Sequence, residues 1–190
     1  MSGWEGRRGG IVPHMHVVGA LFLLLLSPAA QFSPTGPLYT YDAAAVPAGA
    51  SAIAVPIEAG GPLDAVPVES GRRTVVLLRV RGLLPAHHYG AHVHTGNCGA
   101  DPAAAGPHTQ NRADPVQPSV DPAYANPENE VWLDFTTDVG GNAITSAEVD
   151  WSLSSRLANS VVLHAQHTHT EPGQAGTAGA RLACLPLTRQ

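Results

Sequence analysis

Apolar residues in this chain come in short runs, alternating with polar ones and cut off every few positions by Gly, Pro, Asn or Asp. The runs are SAIAVPIEA (51–59), RTVVLLRVRGL (73–83), HYGAHVHT (88–95), NEVWLDFTTD (129–138), NAITSAEVDW (142–151), SVVLHAQ (160–166) and ARLACLPL (180–187). Their length, period of two and β-branched content predict β-strands. DVGGNA (138–143) predicts a hairpin turn between two of them. No stretch keeps a helical period for three turns. The pattern is that of an all-β domain, a Greek-key antiparallel sandwich or flattened barrel of about eight strands. Two segments are not strand-like, the Pro-rich 95–128 and HTHTEPGQAGTAGA (167–180). Irregular loops of that length in a compact domain are functional or disordered.

Composition narrows the class. The 190 residues suffice for one domain, and 20 Gly with 17 Pro suit strands and turns. All ten basic residues are Arg and none forms a tract, which argues against nucleic acid or an anionic membrane as partner. Arg7 and Arg8, ahead of VVGALFLLLL (17–26) and SPAAQ (27–31), predict a signal peptide over 1–29. The apolar run is short for a bilayer span, so no stable membrane insertion is expected after signal removal; an uncleaved anchor is the competing reading. The expected location is secreted or in the cell envelope. Residues 30–50 read as a flexible lead-in and 51–190 as the folded domain. Without 1–29 the chain carries 8 Arg against 14 acidic residues, a net charge of −6. Two cysteines in an exported chain usually pair. A Cys98–Cys184 bridge would constrain most of the domain, worth about 4–5 kcal/mol on the chain-entropy model.

The chemistry gathers in AHVHTGNCGADPAAAGPH (91–108), which holds three of the ten histidines and one of the two cysteines. His92 and His94 are two apart on a predicted strand, so both imidazoles leave the same face, and the strand fixes their separation. By itself this pair equally describes two surface histidines. His164 lies among apolar residues on another predicted strand, where an unpartnered imidazole is costly. His108 sits on the Pro-rich loop. Four imidazoles with no cysteine to spare suit copper or zinc. His167 and His169 are either further ligands for incoming copper or solvated loop residues, and His87 and His88 carry the same two readings.

Together, AHVHTGNCGADPAAAGPH, VVLHAQHTHT (161–170) and GTAGARLACLPL (176–187) resemble the extracellular copper/zinc superoxide dismutases, over about residues 50 to 188. The resemblance implies copper ligands at His92, His94 and His164. It makes His108 the fourth ligand, one that releases copper on reduction and delivers a proton. It places the Arg181 guanidinium beside the open copper position, and Cys98–Cys184 as the internal disulfide. The implied activity is conversion of superoxide to O₂ and hydrogen peroxide by alternating Cu(II) and Cu(I). One departure stands out: no histidine occurs between Thr109 and Leu163, where the family has zinc ligands. The chain is similar in this to copper-only members, in which a carboxylate orients the fourth histidine. Glu130 and Asp134 are the candidates, and the zinc site is expected to be absent. The alternative is a copper-binding or copper-delivery protein on the same fold without turnover.

Overall fold

The computed structural model describes Met1 and residues 32–33, 38–59 and 73–189; apart from Met1, the expected signal peptide lies outside these. The strands are β1 (Phe32–Ser33), β2 (Tyr39–Thr40), β3 (Ser51–Ala59), β4 (Arg73–Arg81) and β5 (His88–His94), followed by β6 (Phe135–Thr136), β7 (Ala143–Val149), β8 (Ser160–His164), β9 (Arg181–Pro186) and β10 (Thr188–Arg189). Helix is confined to two 3₁₀ turns, Pro102–Ala105 and Leu153–Ser155, among the described residues. All pairings are antiparallel, in a five-stranded sheet β2-β9-β8-β5-β6, a three-stranded sheet β3-β4-β7 and a short β1-β10 pair. This is the expected β-sandwich.

The alternation along the strands explains the layering. On β4, Val76, Leu78 and Val80 are buried while Arg73, Leu77, Arg79 and Arg81 are exposed. The buried set joins Tyr89, Ala91 and Val93 of β5, Val161 and Leu163 of β8, and Ala183 and Leu185 of β9 in one core. β5 differs from β4 because both of its faces are covered. Tyr89, Ala91 and Val93 enter the core, while Gly90, His92 and His94 point away from it and lie beneath the long loops. Gly90 permits that cover: a Cβ there would come within 2.4 Å of the Gln166 carbonyl.

One expectation changes. The run 129–138 is not one strand; only Phe135–Thr136 forms a ladder, with isolated bridges at Trp132 and Glu130. Its backbone does track β5, since Val93 N–H donates to Val131 (3.3 Å) and Leu133 N–H donates to Ala91 (2.7 Å). The Asp134 carboxylate takes the Ala91 N–H (3.2 Å), so a side chain interrupts the ladder. The described residues just ahead of β3 are packed as well. Residues 39–40 pair with β9, Val46 is buried in the core, and the Ala45 carbonyl accepts from the Tyr89 hydroxyl (2.7 Å). Packed structure therefore begins ahead of residue 51. Among the described residues no helix is long and apolar enough to cross a membrane.

Candidate metal centre

The outer face of β5 and β8 sets the first three imidazoles. His92 pairs in register with Val162, His94 with Ser160 and Gly90 with His164. A β-bulge at Leu163/His164 then brings Arg181 of β9 opposite His164. His108 arrives by a different route. The loop after β5 turns through the Pro102–Ala105 3₁₀ turn and folds back, with Gly96 N–H donating to Ala105 (2.8 Å) and Thr95 N–H to Pro107 (3.0 Å). Thr109 N–H then reaches Val93 (2.8 Å), which sets His108 as the bridge partner of His94. Gly106 makes the reversal with φ 67°, a conformation that favours glycine. A disulfide between Cys98 and Cys184 fastens the same loop to β9. That bond fits an oxidising compartment.

His92, His94, His108 and His164 each offer one ring nitrogen, and these atoms lie within 4.8 Å of one another. The hydrogen bonds identify the nitrogens. His94 Nδ1 donates to the Gly106 carbonyl (3.0 Å) and His164 Nδ1 to the Gly179 carbonyl (3.4 Å). Carbonyls only accept, so both protons sit on Nδ1 and both Nε2 atoms are bare. Those two Nε2 atoms face each other at 3.4 Å, lone pair to lone pair. His108 Nδ1 bonds Glu130 Oε2 at 2.7 Å, which leaves its Nε2 for the cluster. His92 runs the opposite way. Thr168 Oγ1 donates its one proton to Asp134 Oδ1 (2.7 Å), so it must accept from His92 Nε2 (2.7 Å). The proton of His92 is thus on Nε2. His92 Nδ1 is the one buried side-chain nitrogen or oxygen among the described residues without a partner.

Burial disfavours the charged form of three of these rings. Desolvation first, and then the neighbouring His108, hold His92 and His94 well below the ordinary imidazole range. The same causes push His164 down to about 3. Four imidazole nitrogens clustered this closely, three of them on buried rings, are poorly solvated unless a cation joins them. The group can therefore hold a metal ion.

Glu130, and not Asp134, orients His108. Glu130 is 1% exposed, yet its carboxylate is fully engaged: Gln110 Nε2 donates to Oε1 (2.7 Å), and Trp132 Nε1 to Oε2 (2.7 Å) beside His108. Asp134 serves His92 through Thr168, whose N–H it also accepts (2.6 Å). A cavity of about 200 Å³ opens beside the group, lined by His108, His164, Glu130 and Arg181. Arg181 is half-buried, and desolvation lowers its pKa from the ordinary arginine value. It donates to the carbonyls of Pro102 (2.7 Å) and Gly106 (2.6 Å), leaving further N–H groups for an anion. No protein-family model matches the chain, and no curated protein matches it significantly.

His167 and His169 lie outside the four-histidine group. His167 Nε2 donates to the Phe135 carbonyl (3.0 Å), and His169 stands beside Glu171 (3.6 Å). Thr168 between them, with Gln110 and Trp132, escaped the sequence reading. Hydroxyl, amide and indole groups in irregular segments have no periodicity to betray them.

Proposed function

We propose that this chain is an exported, copper-dependent superoxide dismutase. The observation that carries the reading is the four-imidazole group with a half-buried arginine on the adjoining cavity. An all-imidazole set without thiolate or carboxylate ligands suits copper. His92 Nδ1 and the Nε2 atoms of His94, His108 and His164 would hold the ion. Bound copper would supply the one-electron chemistry by which one superoxide is oxidised to O₂ and a second, taking up two protons, is reduced to hydrogen peroxide. Arg181 binds the anion next to the group, held there by the loop that carries His108. Glu130 keeps the His108 ring in place through Nδ1–H, so Nε2 is the atom from which a proton can be passed on. The Glu130 oxygens are both occupied and no second imidazole follows His108 until His164. We therefore infer that zinc has no site here.

The test is a superoxide disproportionation assay on the processed chain loaded with copper. Turnover dependent on copper is expected. Tight copper binding without turnover would overturn the enzyme reading in favour of copper binding or delivery alone.

A further inference from the structure

Two histidines outside the buried group also meet. His88 opens β5 on the face that carries His92 and His94, and His167 directly precedes Thr168. Their ring centroids are 4.7 Å apart with planes at 72°. Both are exposed, and both line an open groove with His87 and Gln166. Each ring is already steadied through one nitrogen. His167 Nε2 donates to the Phe135 carbonyl (3.0 Å), which leaves Nδ1 bare in the neutral ring, and His88 Nδ1 bonds Thr136 Oγ1 (2.8 Å), which leaves Nε2. One nitrogen anchored and the other free is how metal-binding histidines are commonly held. The turn ahead of them is fixed as well. Ala86 sits at φ 49°, unfavourable for a residue with a Cβ, and donates its N–H to Asp138 (3.1 Å), while His87 N–H donates to Thr137 Oγ1 (3.0 Å).

We propose that His88 and His167 form a second, surface metal site, a two-imidazole chelate for divalent copper completed by water. Imidazole nitrogens favour copper over the hard divalent ions. Two ligands in solvent bind more weakly than four clustered ones, three of them buried, and exchange faster. His92 and His94 are themselves fully buried, so copper has to reach them from the surface. The pair lies four residues along β5 from His92, about 13 Å at the rise of a strand. On this geometry the surface site stages copper for the buried group. The staging role rests on the copper reading above; the surface site does not.

The experiment titrates the processed full chain with cupric ion and counts binding classes. A tight class and a weaker one are expected. His88→Ala and His167→Ala should each raise the weaker Kd about tenfold or more and leave the tight class intact. Both should also slow filling of the tight class when copper is limiting. A weaker class that is missing in the parent chain, or that persists in both variants, overturns the surface site. Loss of the weaker class with unchanged filling overturns staging alone. If the buried group were not a copper centre, the tight class would be missing and the weaker one would remain, so the two failures are distinguishable.

Discussion

Replacing Thr168 by Val tests the tautomer argument at its narrowest point. Valine keeps the shape of threonine and removes only the hydroxyl that joins His92 Nε2 to Asp134 Oδ1 at 2.7 Å on either side. Asp134 Oδ1 is itself 4.0 Å from His92 Nε2, too far to take over the hydrogen bond. The variant leaves a buried N–H without a partner, at about 1–3 kcal/mol. It also removes the reason for the proton to stay on Nε2 and off the atom that faces the cluster. Loss of such an orienting partner weakens metal binding about 10–100-fold, or roughly 1.4–2.7 kcal/mol. Competition with a chelator of known affinity measures this for Cu(II), and the spectrum of bound Cu(II) reports whether His92 still ligates. Thr168→Ser should restore affinity, because it restores the hydroxyl without the methyl. The reasoning is refuted if Val binds copper as tightly as Thr, or if Ser is as weak as Val.

Four further outcomes follow from the same geometry. Cys98→Ser opens a bridge between residues 86 apart, and urea unfolding should register a loss of about 4–5 kcal/mol; copper affinity should fall too, and unchanged affinity would mean that the bridge does not hold His108. Arg181→Ala should lower turnover at subsaturating superoxide while elemental analysis finds the copper content unchanged, and sustained activity would reduce the arginine to a structural role. The metal-free protein should lose stability on acidification. His164 is held down to about 3 while an unfolded histidine titrates near 6.5, so the unfolded state binds the extra proton. Stability is then kept above pH about 6.5 and falls below it by roughly 1.4 kcal/mol per pH unit for each such histidine; a flat urea midpoint between pH 7 and 5 would contradict this. Reconstitution with both metals followed by desalting should leave about one copper per chain and no stoichiometric zinc, whereas one zinc beside it would mean that the donor set is misassigned.

What could be read from the sequence followed periodicity. The spacing of His92 and His94 places them on one strand face, and the strands that flank them carry the turns and β-branched residues that such elements need. What could not be read depends on contacts that periodicity does not encode. NEVWLDFTTD has a strand's composition, yet two of its three acids are turned to separate tasks, Glu130 to His108 and Asp134 to Thr168, and the ladder gives way where Asp134 takes the Ala91 N–H. Choosing between those carboxylates required knowing which loop folds back over β5. Val46 is illegible for a similar reason, since it enters the core from a Pro- and Ala-rich segment with no strand pattern.

The placing of these acids has a chemical consequence. Neither carboxylate is among the four residues that offer a donor atom to the cluster; each acts on an imidazole through a proton, directly from Glu130 and by way of the Thr168 hydroxyl from Asp134. Burial and mutual crowding disfavour the charged forms of His92, His94 and His164. Imidazole donors bring no negative charge and so leave an incoming cation its full charge, and Arg181 adds a second positive charge at the same cavity. That combination favours a small anion next to the metal more than carboxylate ligation would, which would have cancelled the ion's charge.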